Sequence, residues 1–584
     1  YEGTLDDLYR DDIDKFIEYN LNDVEIVKAL DQKFKYLELA RAVSHLGRIP
    51  YEEVYFSSRY IEGAMLVYLR SLGLVAPSKL PTASYDGSEG RFSGAYVKSP
   101  VPGCYDWVFD LDLTSMYPSI IMSLNMSPET KIGKINGWDA EEFIKGEQKH
   151  YSVEKDKKVI RTFTSGELKD FFGKNEISIS SNGVLYDLTK KGVIPAILEK
   201  WFNERVEYRK LAKKYETEGD LELHGYFNRR QLVQKILLNS LYGVLGLTVF
   251  RFYDIDNAEG TTTTGQELIK FTEKVTNSYY NKILKTDEDY CIYTDTDSVF
   301  YSALPLVKNR FPNADVKDEK FMTEQILDIA DEVQSYINKS YNYFSSKFLN
   351  IQGDHRFEIK QEMIAKAAFW VTKKRYGQWI INDGGTPCEK LDVKGLDIVR
   401  SSFPPAFRDF MTKVLKAILA KVPKERIDEF ILDFKSKLKD EELDKIALPT
   451  GVKGIKKYTK KKTRSGFGAN SKSIFTEMEK GAPVHTKASV IYNDLLRYFK
   501  VNKHEAISNG NKVRWVYLKE NPLKIDGLAY KGYDDPKQII DFINQYVDRD
   551  KLFDKALKKK IQMFYDAMSW DMPVDKKNSI ERFF

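Results

Sequence analysis

The sequence reads as a mixed protein of helices and strands, divided into several domains. Apolar residues recur at helical spacing over long stretches, and a few short apolar runs enter polar turns in the manner of buried strands. Length is the third observation: 584 residues exceed one hydrophobic core and divide into about three to five folding units. With 42% hydrophobic and 30% charged residues, the composition excludes a disordered chain. No stretch approaches the ~18 apolar residues of a membrane helix. The opening residues lack the basic and apolar regions of a secretory signal. They also lack Met, as a processed product or a fragment would. Cys104, Cys291 and Cys388 are too few and too scattered for a disulfide framework or a Cys-rich metal module, and they suit a reducing interior. A net charge of +5 decides nothing about nucleic acid until its distribution is known.

Residues 1–75 read mostly as helix, and the Pro- and Gly-rich stretch 76–103 as linker and turns. Trp107–Asp112 reads as a buried strand. Residues 130–194 mix charges, Gly and short β-prone pieces. Pro195–Leu247 reads as a helical hairpin broken near Gly219, and helix resumes over Thr261–Leu284. Two β-rich pieces, Asp289–Tyr293 and Ser298–Tyr301, flank Thr294-Asp295-Thr296-Asp297, which predicts a hairpin with carboxylates at its tip. After Arg400 the chain reads as helical, with a basic, Gly-containing interruption at 451–472.

The carboxylates draw attention first. If the strand is regular, Asp295 and Asp297 share one face. Like charges so placed repel unless a cation lies between them, and hard oxygen ligands suit Mg²⁺ or Mn²⁺. For an isolated Asp-Thr-Asp a plain acidic turn is the favoured reading, and neither segment is decisive alone.

Four segments in order remove that ambiguity. Asp112–Ser119 resembles motif A (DxxSLYPS) of family B DNA polymerases, with Met116 in place of the usual Leu. Lys235–Gly243 resembles motif B (KxxxNSxYG), Tyr293–Ser298 motif C (YxDTDS), and Lys373-Lys374-Arg375-Tyr376 the KKRY motif. The resemblance is greatest to the replicative polymerases of tailed bacteriophages. It implies an α+β fold with right-hand architecture: antiparallel-sheet palm, helical-hairpin fingers and mainly helical thumb. The implied divisions are an exonuclease remnant (1–35), an N-terminal or linker segment (36–83), palm (84–194 and 248–399), fingers (195–247) and thumb (400–584).

The resemblance also assigns roles. Asp112 and Asp297, with the Leu113 carbonyl, would hold two Mg²⁺ or Mn²⁺ ions, and Asp295 is a third catalytic carboxylate. Backbone N–H groups of Leu113, Thr114, Ser115, Met116 and Tyr117 would meet phosphate oxygens. Arg205, Arg209, Lys235 and Asn239 would bind the incoming dNTP, with Lys235 a general acid toward pyrophosphate. Tyr117 would exclude a 2′-hydroxyl, and Tyr242 would pack near the nascent base pair. A ribonucleotide-using enzyme is the rival that leaves Tyr117 without that role. Primer–template DNA would meet Lys373, Lys374, Arg375 and Tyr376. It would also meet the 451–472 loop, including Lys456, Lys457, Lys460 and Lys461. That loop carries eight positive charges and no acid, more than the whole chain's net charge. Ile580, Phe583 and Phe584 have the spacing of a sliding-clamp-binding peptide.

Tyr19 and Asp23 resemble the last motif of the family's proofreading exonuclease, and the motifs that precede it are absent from the sequence. The expectation is no editing by this chain alone. Either a separate N-terminal exonuclease polypeptide completes the site or this copy is truncated, and the apolar residues of 1–35 favour a partner. The expected setting is the cytoplasm of an infected bacterial host, with nucleic-acid rather than protein priming and no membrane. The rival from another class is a catalytically silent subunit that binds DNA and clamp, against which the intact carboxylates argue.

Overall fold

A computed structural model of the chain describes residues 5–79, 92–147, 150–156, 158–460, 475–501 and 503–573. Helices α1 (Leu5–Asp11), α2 (Ile13–Phe34), α3 (Tyr36–Gly47) and α4 (Ser57–Ser71) come first. Strand β1 (Gly103–Leu113) follows and passes through Ser115, left-handed at φ 49°, into α5 (Met116–Leu124). The Trp107–Asp112 run is therefore a strand, and a buried one, because Val108 to Leu111 lie below the surface on both faces.

The next stretch makes a separate small layer. Strands β2 (Lys131–Ile135), β3 (His150–Lys155), β4 (Lys158–Thr164), β5 (Ile177–Ile179) and β6 (Val184–Asp187) pair in the order β4-β3-β2-β6-β5. Helices α6 (Ala140–Lys145) and α7 (Ser165–Lys174) belong to the same layer. It has its own core of Trp138, Phe143, Tyr151 and Phe172. Residues 130–194 thus form an organised sheet where the sequence suggested only scattered β-prone pieces.

The helical hairpin is α8 (Val193–Glu218) and α9 (Leu221–Leu245). Gly219, at φ 78°, ends α8 in a left-handed cap that a side chain would strain. Asp220 then caps α9 by accepting the Leu223 N–H at 2.9 Å. Helix α10 (Ile255–Leu284) precedes the acidic hairpin of β7 (Cys291–Asp295) and β8 (Ser298–Ser302). After α11 (Leu304–Arg310) and α12 (Glu319–Phe348) come β9 (Ile359–Thr372), β10 (Arg375–Asp383) and β11 (Thr386–Lys394).

These strands close the main sheet in the order β11-β10-β9-β1-β8-β7, every neighbour antiparallel. Alternation along β1 divides its side chains between two faces. Phe109, Leu111 and Leu113 enter the largest core with Leu268 and Ile269 of α10 and Ile326, Ile329 and Val333 of α12. Each such buried side chain contributes about 1.5–3 kcal/mol. Val108, Asp110 and Asp112 take the opposite face, where Tyr293, Trp370 and Tyr376 form a smaller aromatic cluster.

The remainder contains α13 (Pro405–Leu419), α14 (Lys424–Lys437) and further helices at Val484–Tyr498, Lys537–Tyr546 and 549–567. It also contains a three-stranded sheet of β12 (Leu448–Gly451), β13 (Lys512–Tyr517) and β14 (Gly527–Tyr530). That sheet escapes a periodicity reading, because β12 is four residues long and pairs with a strand far along the chain. No helix among the described residues is long and apolar enough to cross a membrane.

One glycine ties the edge of the sheet to the turn that faces the site. Gly395 has φ 66°, and a Cβ there would lie 1.8 Å from the Lys374 carbonyl oxygen. Gly395→Ala is expected to cost at least about 1–2 kcal/mol of stability and to displace the β9–β10 turn. Chemical denaturation measures the first effect, and amide exchange at Lys374 the second.

Candidate active site

The site assembles where β1 ends. Leu113 donates its N–H to the Asp297 carbonyl at 2.8 Å, which fastens the end of β1 to the β7–β8 turn. Asp112 lies in register with Ser298, and Asp297 is the residue just before it. The turn is tight: the Asp297 N–H reaches the Asp295 carbonyl at 2.8 Å, and Thr296 is left-handed at φ 67°. A β-branched residue there is strained.

This turn breaks the regular alternation on which a shared face for Asp295 and Asp297 depended. Asp295 is turned to Lys374, whose ammonium lies 2.5 Å from its carboxylate. The Tyr293 hydroxyl donates to Asp295 at 3.2 Å and accepts the Lys374 N–H at 2.9 Å. Asp297 is turned to Asp112. Burial, and then the charges of Asp297, Glu362 and Asp110, push the Asp112 carboxyl up to about 8 against the opposing Lys235. Burial raises Asp297 to about 6, with Asp295 and Glu362 adding to the shift. Burial raises Asp110 to about 7.

Two half-buried, mutually repelling carboxylates are acceptors that a divalent cation would satisfy. Among the described residues, no three His, Cys, Asp or Glu side chains close into a metal cage. Asp112 and Asp297 could therefore supply only part of a coordination sphere. That suits Mg²⁺, which binds through one or two carboxylates and takes its other ligands from water and substrate phosphates.

The helical hairpin faces this centre. Lys235 and Asn239 are exposed on α9 and Tyr242 is half-buried, while Leu237, Leu238 and Leu241 anchor the other side of the helix. Lys235 acts on Asp112 through its charge. On α8, Arg209 is exposed, and the Arg205 Nε is buried without a hydrogen-bond partner, an unfilled donor. Burial, and then Arg209, weakens the hold of Arg205 on its proton. Tyr117 and Tyr242 stack on each other, with ring centroids 4.2 Å apart.

Two expectations need correction. The N–H groups of Leu113 and Thr114 are already spent on Asp297 and Glu358 carbonyls, so only those of Ser115, Met116 and Tyr117 remain toward the first turn of α5. Tyr376 is 7% exposed and stacks on Trp370. It supports the sheet and offers no ring to a duplex. Lys373 and Lys374 are exposed, and Arg375 is half-buried beside the Met563 sulfur.

Lys456 and Lys457 are exposed, and Lys460 pairs with Glu477 at 2.6 Å. Lys461 and the tail residues Ile580, Phe583 and Phe584 lie outside the described residues. Tyr19 and Asp23 lie on α2, far along the chain from every carboxylate of this centre. Sequence reading missed Glu362, whose charge reaches Asp110, Asp112 and Asp297. Only strand register brings it there.

A profile of DNA polymerase family B matches residues 51–567. The chain belongs to that family. It is 25% identical to the DNA-directed DNA polymerase of Enterobacteria phage T4, an alignment covering all of this chain and 66% of that protein. It is 25% identical to the DNA-directed DNA polymerase of Escherichia phage RB69, over 72% of this chain and 50% of that protein. The DNA polymerase delta catalytic subunit of Dictyostelium discoideum is 24% identical over 84% of this chain. The chain thus spans about two thirds of the length of the first relative and half of the second.

The raised carboxyls have a sign that can be measured. Their folded values exceed the ordinary Asp value of about 3.9, so between about pH 4 and 8 the native state holds more protons than the unfolded one. Stability therefore falls as pH rises through that window. Without divalent metal, Tm is expected to drop from about pH 5 to pH 8, and Mg²⁺ to restore it most at the upper end. Asp112→Asn should flatten this slope; an unchanged slope would remove Asp112 as its source.

Proposed function

We propose that this chain is a template-directed DNA polymerase that adds deoxynucleotides to a primer 3′-hydroxyl in phage DNA replication. The observation that carries the reading is the facing of two half-buried, like-charged carboxylates, Asp112 and Asp297, by cationic side chains on a helical hairpin. Phosphoryl transfer asks mainly for positioning and charge neutralisation, and this arrangement offers both.

Asp112, Asp297 and the Leu113 carbonyl are the groups that would hold Mg²⁺. When bound, two such ions activate the attacking oxygen and stabilise the leaving one. Arg205, with its unpartnered Nε, and Lys235 grip the triphosphate, with Arg209 and Asn239 alongside. Lys235 also stands where a proton is needed by departing pyrophosphate. Tyr117, braced by Tyr242, fills the space beneath the sugar, so a 2′-hydroxyl clashes. Asp295 holds the β9–β10 turn through Lys374, and Lys373, Lys374, Lys456 and Lys457 track the duplex by phosphate attraction. In this reading the six-stranded sheet is the palm, α8 and α9 are the fingers, and residues 400–584 are the thumb.

We further read α2 as part of an editing unit's interface. Tyr19 and Asp23 lie one turn apart on a helix with no buried residue, and Ile17, Leu21, Val24 and Leu30 on it are about half exposed. That exposure supports packing against a further folded unit that carries the remaining carboxylates of an exonuclease site.

Primer extension tests the main reading. Asp297→Ala removes several kcal/mol of charge stabilisation, so extension should fall by about 10³-fold with DNA affinity unchanged. Retained extension would sink the assignment, and no extension by the unaltered chain would favour a silent subunit. Tyr117→Ala should relax discrimination against ribonucleotides by about tenfold or more, read as the ratio of kcat/KM values. A separate exonuclease polypeptide, added to the chain, should restore excision of a mismatched primer end.

A further inference from the structure

The centre of the main sheet carries one irregularity that the polymerase reading leaves unused. β1 and β9 pair regularly from Leu113↔Ile359 to Leu111↔Gln361, and again from Phe109↔Ile364 onward. Between those stretches, Asp110 stands opposite both Glu362 and Met363. This is a β-bulge with its extra residue in β9. Such a bulge leaves an N–H without a carbonyl opposite it, in a part of the sheet where Asp110 is 8% and Met363 6% exposed. A buried donor left unpaired there would cost about 1–3 kcal/mol.

Asp110 supplies the missing acceptor from its side chain. One carboxylate oxygen, Oδ1, accepts the Met363 N–H at 2.7 Å and the Glu362 N–H at 3.2 Å. From the other side, the Gly384 N–H reaches the Glu362 carbonyl at 2.6 Å. Glu362 is thus held at its N–H by β1 and at its carbonyl by the β10–β11 turn. Its carboxylate acts on Asp110, Asp112 and Asp297 together, which puts it on the face where β1 presents its aspartates. Bulges re-aim side chains, and this one is fixed by a carboxylate two residues before Asp112.

We propose that Asp110 is a positioning residue that acts through Glu362: it clamps the β9 bulge so that the Glu362 carboxylate stands as a third acidic group beside Asp112 and Asp297. Naming the reaction rests on the polymerase reading, but the positioning itself is read by metal binding.

The test is Mn²⁺ binding to the full chain, followed by titration calorimetry, with thermal melting and primer extension alongside. Glu362→Gln should weaken Mn²⁺ by about tenfold, as loss of a metal site's supporting group does. Asp110→Ala should weaken it by a similar factor. Asp110→Asn keeps an acceptor oxygen and should bind within about threefold of the unaltered chain. Asp110→Ala combined with Glu362→Gln should be no weaker than Glu362→Gln alone, since residues acting through one group do not add. If Asp110→Ala does not fold, Asp110→Thr, a strand former too short to reach both N–H groups, takes its place. Unchanged Mn²⁺ affinity in that variant, failure of Asp110→Asn to rescue, or additive losses in the double variant would each overturn the proposal. Absence of extension by the unaltered chain, with the Mn²⁺ pattern intact, would overturn the polymerase reading and leave the positioning role standing.

Discussion

Much of this molecule depends on one unfavourable interaction, the repulsion between Asp112 and Asp297. Both carboxyls are partly buried, and burial together with the neighbouring charge raises each above the ordinary carboxylate range. Left alone, such a pair would separate or take up protons. Sheet pairing holds it together: β1 and β8 are locked from Val108↔Ser302 to Asp112↔Ser298, and the Leu113 N–H closes the end on the Asp297 carbonyl. The apolar mass of α10 and α12 behind β1, on which Phe109, Leu111 and Leu113 are buried, contributes stability that offsets the electrostatic strain at the strand's tip.

The other carboxylate of the acidic hairpin serves a different end. Asp295 is neutralised by Lys374 and braced by Tyr293, so the turn joining β9 to β10 is fastened to the turn joining β7 to β8. Any ligand that competes for Lys374 frees Asp295, and any charge that enters near Asp297 is felt at Asp295 two residues away. In the proposed polymerase, the duplex and the catalytic centre are thereby coupled through a single ion pair. Because the ammonium is largely exposed, that coupling is screened by salt.

In the proposed polymerase, placement rather than residue type would make the helical hairpin a phosphate site. Arginines and lysines four apart on a helix are ordinary on a solvated face, and α8 carries three such pairs, Arg205/Arg209, Arg209/Lys213 and Lys210/Lys214. What distinguishes Arg205 is a buried Nε with no partner, and what distinguishes Lys235 is a charge that reaches Asp112 across the gap between two elements. The hairpin packs on α5 and the core beneath it.

The sequence by itself determined the helices, the strand ending in Asp112, the hairpin tipped by Asp295 and Asp297, and the four motifs, because periodicity and turn residues are local properties. Tyr117 and Tyr242 were legible as motif members, but not as a stacked pair. Only the tertiary structure decided that Asp295 faces Lys374, that Tyr376 is a core ring, that the N–H groups of Leu113 and Thr114 are already used, and that Glu362 joins the carboxylates. The bulge opposite Asp110 was likewise invisible. Each of these turns on which separate elements the fold brings together, and within the sheet a one-residue shift in register moves a side chain to the other face. No local pattern encodes that shift; the packing of both faces of the sheet does.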